Sequence, residues 1–554
     1  MDSSFKKAAI AVPKLSGFDK SHQNLLTAKV GTITPILVDE LIPGTKVNLK
    51  LALNAQLPPL AADTFMRCSI KTEAFFVPMR LLSASFESFF TDNAKDLITG
   101  VDGQDIITEN YKGFLPIIMD TTSQSVSPTG ELAKIGNAGT LSDYLGYKKY
   151  GYPNFIKYGI SAMPFLAYHR IYNDWYRNSL VQKECFVPRY FGNDGLSGAA
   201  SAPFDFHTTE DYIWNDDGHL RLADGEFLTE LRQRNFGLDY FTTATPTPQQ
   251  GDAEVVSFDT SGSTGNFSIA ALRAANSMQQ FKERNNLLGN LYVEQVYGRY
   301  GVRPSDGIAQ RSIYLGRGEF EVYTKGIYQT STNISDSTSD ASDSGNSANP
   351  FGSVGTRYGS AYASGSNFVI NFEAKEPGYL FVNATLVPRV TYSTGIRRYL
   401  KHYIGAGSLS DMANPILQNV GPQPIYEYEV NRNTTNDYQV FGYTDRYAEF
   451  KTMEDELHGL LRDGEDLSAF ALQRTIAATT GTVAINSSFL QIPTNYLNRV
   501  FAVNNNIARF GYWLDTYFDY KVAMPLSKYS LPSLQDPAYE HGKTLVVSKG
   551  GSKL

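Results

Sequence analysis

The sequence predicts a mainly β protein that has a few helices and several long polar loops. Residues 47–53 alternate between apolar and mostly polar side chains, which is the two-residue period of a half-buried strand. Tyr and Phe are abundant, with 35 and 33 copies, and both favour the half-buried surfaces of sheets. Only two segments show the spacing of an amphipathic helix. The local pattern therefore predicts the fold class and leaves the topology open.

Several segments of the chain are predicted to be strands. Residues 47–53 come shortly after the turn dipeptide Pro43-Gly44. A second strand is predicted at residues 69–78 and ends there, because Pro78 lacks the amide hydrogen that a strand ladder needs. Later strands are predicted at residues 319–323, 368–372 and 379–392.

Two helices are predicted from apolar residues that recur three and four apart. The first covers residues 163–180 and carries Phe165, Tyr168, Ile171, Tyr172 and Trp175. The second begins after Asn266 or Ser268, either of which is a good N-cap, and carries Ile269, Leu272, Ala275 and Met278. We interpret both apolar sides as packing surfaces and not as cofactor sites.

Long irregular stretches lie between these elements, notably residues 192–224 and 329–366. The second stretch is rich in Ser, Thr, Asp, Asn and Gly, and it buries too little apolar surface to offset the entropy lost on ordering. We predict that residues 329–366 form a polar, flexible loop. Loops of this length usually carry function, and here they interrupt a single β scaffold that spans residues 1–554.

Composition excludes several classes of protein. The net charge is 49 − 56 = −7, the wrong sign for a chain that wraps nucleic acid over its whole surface. Two cysteines, Cys68 and Cys185, are too few for a disulfide framework, and we expect reduced thiols in a protein made in a cytoplasm. The first fifteen residues lack the apolar core of a signal peptide, and no apolar run is long enough to span a bilayer.

The sequence contains no recognisable set of catalytic residues. It contains no G-x-x-x-x-G-K-[ST], H-E-x-x-H or G-x-S-x-G motif, and no clustered Cys/His spacing for a metal. Acidic pairs such as Asp39-Glu40 and Asp216-Asp217 are interpreted as solvated faces or helix starts. We therefore predict no catalytic residue, no cofactor and no metal site.

Collinear segments over nearly the whole chain resemble the major capsid proteins of microviruses, particularly the gokushovirus branch. The matching segments are residues 18–22 (FDKSH), 35–44 (PILVDELIPG), 75–82 (FFVPMRLL), 86–89 (FESF), 164–168 (PFLAY), 171–178 (IYNDWYRN), 239–249 (DYFTTATPTPQ), 272–273 (LR), 283–284 (ER), 300–306 (YGVRPSD), 376–379 (EPGY), 441–450 (FGYTDRYAEF) and 524–532 (MPLSKYSLP). Two of them depart from the family pattern, since Thr247 replaces a tryptophan and Pro377 a histidine. Each segment is a weak signal alone, but their order along the chain is specific.

The resemblance implies an eight-stranded antiparallel jelly roll of the viral capsid type, with large loop insertions. Copies of the chain would assemble into the simplest icosahedral shell (T=1), which encloses a circular single-stranded DNA genome on its inner face. The family also implies a small basic packaging protein, a scaffolding protein, a minor DNA-pilot protein and a host surface receptor as partners. The expected location is the virion, after synthesis in the cytoplasm of a bacterial host.

Two regions receive roles from this resemblance. The poorly matching stretch 186–236 is the candidate for a surface protrusion that meets the host, with 332–349 as a second candidate. The candidate DNA contacts are lysines of the two tails, if these point inward. They are Lys6, Lys7, Lys14, Lys20, Lys543, Lys549 and Lys553.

One alternative comes from another class of protein. In a β-rich carbohydrate-binding or adhesin module, the loops and aromatic residues would line a sugar site. Mass distinguishes the two, because an adhesin forms a monomer or small oligomer and a capsid protein forms megadalton particles.

Overall fold

The computed structural model describes most of the chain in several stretches. These are residues 7–12, 15–62, 64–83, 86–91, 117–118, 135–148, 160–185, 222, 224, 226–252, 269–328, 357–393, 395–401, 414–431, 438–474, 476, 483–502, 511–526 and 543–548.

Strands dominate the described residues. In chain order they are β1 (Lys7–Val12), β2 (Ser16–Asp19), β3 (His22–Ala28), β4 (Thr34–Leu41), β5 (Lys46–Gln56), β6 (Cys68–Pro78), β7 (Ile117–Ile118), β8 (Ile160–Ser161), β9 (Ile313–Glu321), β10 (Tyr323–Tyr328), β11 (Arg357–Glu373), β12 (Gly378–Pro388), β13 (Gln423–Tyr426), β14 (Val440–Thr444), β15 (Tyr512–Met524) and β16 (Lys543–Ser548).

The helices are fewer, and most are short. They are α1 (Phe86–Thr91), α2 (Leu141–Tyr144), α3 (Met163–Ile171), α4 (Ile269–Leu288), α5 (Tyr292–Tyr300), α6 (Glu427–Val430) and α7 (Ser487–Leu490). A π-helical turn follows α3 at Tyr172–Tyr176, and 3-10 turns lie at Met79–Leu81, Arg398–Lys401, Pro415–Val420, Ala448–Phe450, Gly459–Leu461, Ser468–Phe470 and Asn498–Val500.

Two antiparallel sheets form the body of the molecule. One has the strand order β10-β11-β5-β15, and both β2 and β3 pair with β15. The other has the order β4-β12-β6-β9. Successive long strands are divided between the sheets, so that β3 and β4, β5 and β6, β9 and β11, and β12 and β15 each have one member in either sheet. This is the antiparallel arrangement of a jelly roll, and the predicted fold class is confirmed.

The six-stranded sheet is wider than the resemblance implies. Without β2 and β10, each sheet is a row of four strands, β3-β15-β5-β11 and β4-β12-β6-β9. The two main sheets thus hold ten strands in the described part of the chain, two more than the eight expected. Three smaller two-stranded sheets, β1-β16, β7-β8 and β13-β14, lie apart from them.

The main core lies between the two sheets. Along β5 every second residue is buried, and β15 shows the same alternation, so each strand faces the core on one side. Every residue of β12 is buried, because this strand is covered on both faces. Its Leu380 and Val382 belong to the core between the sheets, whereas Tyr379 and Phe381 belong to a second apolar cluster with α3.

Helix α3 covers the outer face of the four-stranded sheet. All of its residues except Pro164 are buried, and Pro164 lies in the first turn, where no amide hydrogen is needed. The hydroxyl of Tyr168 donates to the carbonyl of Ile33 over 2.7 Å and accepts from the backbone amide of Arg232 over 2.8 Å. The helix thereby joins the sheet to a later part of the chain.

The predicted strands all correspond to observed strands, but the helix predicted at residues 163–180 is too long. Helix α3 ends at Ile171 and continues only as the π-helical turn, after which Arg177 is extended. The wider turn places Asp174 and Trp175 toward Ser312. The Asp174 carboxylate accepts from the Ser312 amide over 2.8 Å, and the Trp175 indole donates to the Ser312 carbonyl over 3.1 Å.

The loop predicted at residues 329–366 is also shorter than expected. Residues 357–366 belong to β11, although the flexible loop was predicted to run from 329 to 366. This end is ordered because it pairs with β10 on one side and β5 on the other. The remainder, with the candidate tract 332–349, lies outside the described residues.

The last eleven residues of the candidate protrusion at 186–236 lie among the described residues. Leu228, Arg232 and Phe236 are buried against the barrel. The Arg234 guanidinium holds the Glu73 carboxylate of β6 through two hydrogen bonds of 2.6 and 3.0 Å. A buried ion pair of this kind fixes the segment to the sheet, so it is part of the wall. Nearly all of residues 186–225 lies outside the described residues.

Candidate functional site

Both cysteines and one histidine, His169, are buried in the part of the chain that the structure describes. Cys68 and Cys185 are buried, and burial raises the pKa of the Cys185 thiol to about 12. His169 is fully buried, and burial together with the charge of Arg232 holds its pKa well below the usual value. Its ring accepts from the Arg232 guanidinium and donates to the Leu228 carbonyl over 2.9 Å, so a structural role accounts for it.

Neither a metal centre nor a membrane span is found among these residues. No group of three or more His, Cys, Asp or Glu side chains is placed to hold a metal ion within the described ranges. None of the helices described is both long and apolar enough to cross a membrane. Exposed surfaces of the described residues are therefore the candidate binding sites.

The predicted tail lysines lie in different parts of the structure. Lys20 belongs to the barrel: its ammonium forms an ion pair with Asp39 of β4 and lies 5.4 Å from the ring centroid of Tyr520 in β15. This placement gives Lys20 an ion-pair partner within its own chain, and its contact with DNA stays a prediction. Lys6, Lys14, Lys549 and Lys553 lie outside the described residues.

The chain ends meet in a two-stranded antiparallel sheet. Strand β1 pairs with β16, with Lys7 opposite Ser548 and Val12 opposite Lys543. The backbone therefore places Lys7 and Lys543 at opposite ends of the ladder. Sequence reasoning did not anticipate this pairing, because the two strands are separated by most of the chain.

The outer face of the six-stranded sheet carries exposed side chains from several strands. One row across it contains Tyr323, Tyr362, Gln56 and Trp513 on the neighbouring strands β10, β11, β5 and β15. The three aromatic side chains are 44% to 54% exposed, and the rings of Tyr323 and Tyr362 lie 6.2 Å apart between centroids. Tyr517, 52% exposed, adds a further ring four residues along β15. Exposed rings on a sheet are surfaces on which flat ligands stack.

Amide and charged side chains surround these rings on the same face. Asn48 donates to Asn371 across β5 and β11 over 2.6 Å, and Gln23 donates to Asp515 over 2.6 Å. The exposed lysines on this face are Lys46, Lys50, Lys325 and Lys521. Lys521 forms an ion pair with Asp519 over 3.2 Å. The face thus combines rings, amides and ammonium groups, with acidic residues interspersed.

A groove runs along the edge of this face beside β3. It has a volume of about 1040 Å³, and its lining residues include Leu25, Asn54, Trp513 and Tyr144. The Tyr144 hydroxyl of α2 donates to the Thr27 carbonyl over 2.5 Å and so fixes the wall of the groove. The groove and the aromatic row share Trp513 and Gln56, so they form one continuous surface.

Sequence reasoning missed this face because it missed β15. The signal was present: Tyr512, Leu514 and Thr516 are buried and alternate with exposed or half-exposed residues over the whole strand. The pairing of β15 with β5 was not readable from local pattern, since Trp513 lies opposite Gln56 across more than four hundred residues of chain. Pairing places the rings of three strands in one row, with Gln56 of β5 between them.

Comparison with known proteins gives one consistent family. A family model described as "Capsid protein (F protein)" matches residues 9–266 and 255–534. The chain is similar to capsid protein VP1 of Chlamydia phage 1, with 25% identity over 97% of this chain and 98% of that protein. It is also similar to capsid protein VP1 of Bdellovibrio phage phiMH2K (24% identity, 94% and 95% covered) and of Spiroplasma virus 4 (22% identity, 81% and 82% covered).

These matches cover both barrel sheets and the insertions between their strands. A jelly roll with large insertions is a fold that viral capsid subunits adopt. The chain belongs to the phage capsid protein family of the microvirus type, and it is a major capsid protein.

Proposed function

We propose that this chain forms a T=1 icosahedral shell that encloses a single-stranded DNA genome and contacts the surface of a bacterial host. The observation that carries the proposal is the family match over almost the entire length, on a jelly-roll barrel. In such a shell every copy has the same environment, with ring-closing contacts around the fivefold and threefold axes and self-complementary contacts at the twofold axes. We assign the chain a structural role without catalysis.

The first experiment is expression of the chain together with its neighbouring phage genes, followed by sedimentation and cryo-electron microscopy. Uniform small icosahedral shells are the expected result, and a reconstruction would give the number of copies directly. If only soluble monomers formed with those partners present, the shell proposal would fail and carbohydrate binding would be tested next.

We propose that the outer face of the six-stranded sheet lines the inside of the shell and contacts the genome. The outer face of the four-stranded sheet is covered by α3 and residues 226–236, whereas the aromatic row stays exposed. Rings that stack on bases, amides that bond to base edges and lysines that bind phosphates suit a single strand without sequence preference. The tail lysines stay a prediction as additional contacts, and they are Lys6, Lys7, Lys14, Lys20, Lys543, Lys549 and Lys553.

Packaging tests this assignment of the sheet face. We expect the double substitution Trp513→Ala and Tyr517→Ala to lower the ratio of DNA-filled to empty particles several-fold, because both rings are exposed on this face. Leu238→Ala is the matched control, since this side chain is 87% exposed and lies elsewhere. Filled particles at the normal ratio in the double variant would show that the genome lies against another surface.

The remaining partners and locations are proposed from family membership. We propose a small basic packaging protein, a scaffolding protein, a DNA-pilot protein and a host receptor as partners, with synthesis in the host cytoplasm and residence in the virion. A basic partner is expected because the chain is net acidic and cannot neutralise a genome alone.

We propose that the protrusion that meets the host lies within residues 186–236. Leu228, Arg232 and Phe236 of this stretch are buried against the barrel. The shell reconstruction described above tests the proposal as well, since density for residues 186–236 on the inner surface would contradict it.

A further inference from the structure

The groove beside β3 has a floor of six residues from three neighbouring strands. They form two rows across the sheet, Gln56-Trp513-Thr27 and Asn54-Asp515-Leu25. All six line the groove. Neighbouring strands lie about 4.8 Å apart, and residues two apart along a strand lie about 6.7 Å apart on the same face. The two rows therefore form one compact platform.

The segment that contains α2 forms the wall of the groove. The Tyr144 hydroxyl bonds to the Thr27 carbonyl, and the Asp143 carboxylate accepts from the Gly139 backbone amide over 3.0 Å. The wall is thus tied to the edge strand of the sheet. The volume of about 1040 Å³ is at the upper end of the range of about 300 to 1000 Å³ that is typical of small-ligand sites. The groove has room for one nucleotide.

The charges of the lining do not suit a phosphate. The described lining residues include two carboxylates, those of Asp143 and Asp515, and one ammonium, that of Lys148. A groove that follows a phosphate backbone is positively charged. The exposed lysines of this sheet face lie outside the groove. The groove therefore suits an uncharged part of a nucleic acid, which is a base.

Trp513 provides a stacking surface in the first row. Its side chain is 44% exposed and lines the groove. Indole and purine are both fused five- and six-membered rings, so a purine that stacks on Trp513 matches it in size. Stacking accepts every base, because every base has a flat face. Any preference among the bases must come from the polar groups of the second row.

The second row places two acceptors next to a donor. The ionised carboxylate of Asp515 only accepts hydrogen bonds, and each of its oxygens accepts more than one. Gln23 donates to its Oδ1 over 2.6 Å. Asn54 lies directly opposite Asp515 on β5 and is exposed, and its amide group also supplies a donor.

Guanine is the base that complements this arrangement. Its base-pairing edge carries two neighbouring donors, N1–H and N2–H₂, beside the acceptor O6. Adenine, cytosine and thymine each have one donor group on this edge next to an acceptor, so one carboxylate oxygen would face an acceptor. Bases of single strands offer this edge to proteins. Paired hydrogen bonds to a charged group are stronger than neutral ones.

We propose that the groove beside β3 binds one guanine base of the packaged strand. The base stacks on Trp513, its N1–H and N2–H₂ groups donate to the Asp515 carboxylate, and its O6 accepts from the Asn54 amide. The proposal rests on the proposed contact between this sheet face and the genome. It adds a preference for one base to a face whose other rings accept any base.

Fluorescence anisotropy with the full-length subunit tests the base preference. The probes are two labelled oligothymidylates, one with a single central guanine and the other with a single central adenine. Adenine is a purine that stacks in the same way but lacks the second donor. The guanine probe should bind at least fivefold more tightly. Equal affinities of the two probes would overturn the proposal.

Asp515→Asn assigns the preference to the groove. The carboxamide keeps an oxygen for Gln23 but replaces one acceptor by a donor, so the advantage of guanine should fall below twofold. Asp519→Asn is the matched control, because Asp519 lies on the same strand outside the groove, where it pairs with Lys521. This control removes the same charge and should keep the fivefold preference. A preference that survives Asp515→Asn would overturn the proposal.

Crosslinking in filled particles provides an independent measurement. A photoreactive amino acid is placed at Leu25, which is 69% exposed in the groove, or at Val369, which is 52% exposed outside it. After nuclease digestion, mass spectrometry identifies the attached nucleotide. The share of guanine should be at least threefold higher at Leu25. The same distribution of bases at both positions would overturn this proposal alone, whereas filled particles without DNA adducts at either position would contradict the proposed genome face itself.

Discussion

The most consequential single contact of the barrel wall is the one between Glu73 and Arg234. Glu73 lies in β6, and its carboxylate also accepts a hydrogen bond of 2.7 Å from the Tyr176 hydroxyl. The Arg234 guanidinium stacks on the Tyr176 ring, 5.1 Å from its centre. Burial disfavours the charged carboxylate, but the hydrogen bonds and the charge of Arg234 outweigh it and hold the pKa of Glu73 below its usual value. Three separate segments are joined at this point.

We expect Glu73→Gln to lower the free energy of unfolding by about 3 to 5 kcal/mol at pH 7, because the buried guanidinium of Arg234 loses its countercharge. The loss should shrink as the pH falls below 4.5, since the wild-type carboxylate also becomes protonated there. Chemical denaturation of the subunit at pH 7 and at pH 4 measures both effects.

Glu319→Gln is the matched control for that experiment. Glu319 faces Lys71 at 3.9 Å with 43% of its side chain exposed, so its removal should cost under about 1 kcal/mol. Equal losses of unfolding free energy in the two variants would show that the ion pair of Glu73 stabilises the fold no more than the exposed ion pair of Glu319.

Glu454 makes the molecule sensitive to pH near neutrality. Burial and the neighbouring Asp239 carboxylate raise the pKa of Glu454 from 4.5 to about 7. The folded state then binds a proton more tightly than the unfolded state, so stability from this group is present below pH 4.5 and is lost as the pH rises toward 7.

We expect Glu454→Gln to melt at a higher temperature than wild type at pH 8 and at about the same temperature at pH 5. The amide keeps an oxygen for the Tyr240 backbone amide, which donates to Glu454 over 3.1 Å, and removes the like charge beside Asp239. Glu456→Gln is the control, because Glu456 forms an ion pair with Arg397 and its loss gives no gain at pH 8. Thermal scans that show no difference between wild type and Glu454→Gln at pH 8 would refute the assignment.

At the scale of elements, residue spacing predicted the strands in which apolar and polar side chains alternate. Composition predicted the strand that is rich in β-branched and aromatic residues. Strands β5 and β6 and the core of α3 were readable from residue spacing. The end of α3 was not, because hydrogen bonds to Ser312, more than 130 residues away, favour the π-helical turn. The order of the strands came only from the family resemblance, since pairs such as β5 with β15 depend on contacts between distant segments.

Strand β12 is the element on which both cores depend. Its Phe381 is fully buried between β4 and β6 and packs with α3 in the second cluster. We expect Phe381→Ala to lower the free energy of unfolding by about 3 to 5 kcal/mol, because the cavity cannot collapse between two neighbouring strands and a helix. Urea denaturation measures the loss.

Val369→Ala in β11 is the corresponding control. Val369 is 52% exposed on the bare face of the six-stranded sheet, and the substitution should change stability by under about 0.5 kcal/mol. A loss for Phe381→Ala no larger than this would mean that α3 and the four-stranded sheet are not packed together in solution.

At the scale of the whole molecule, the outer faces of the two sheets differ in what covers them among the described residues. The four-stranded sheet is covered by α3 and residues 226–236, while the six-stranded sheet keeps its rings and lysines exposed. A shell wall requires this asymmetry, since one side meets the genome and the other meets neighbours and host. Sequence reasoning placed the DNA contacts in the lysine tails, because clustered charge is visible in a sequence. A row of rings contributed by three distant strands is not visible there.

The salt dependence of DNA binding distinguishes these two placements. Each phosphate contact with single-stranded DNA contributes about −0.7 to the slope of log affinity against log salt. If Lys46, Lys50 and Lys325 on the sheet face make the contacts, with stacking on the rings, the slope for an oligothymidylate should be shallow, about −2 per subunit. If the seven tail lysines bind as well, it should approach about −7. Fluorescence anisotropy of a labelled oligonucleotide between about 50 and 200 mM salt measures the slope. A steep slope that Trp513→Ala leaves unchanged would assign the genome to the tails, whereas a shallow slope with weakened binding in that variant would assign it to the sheet.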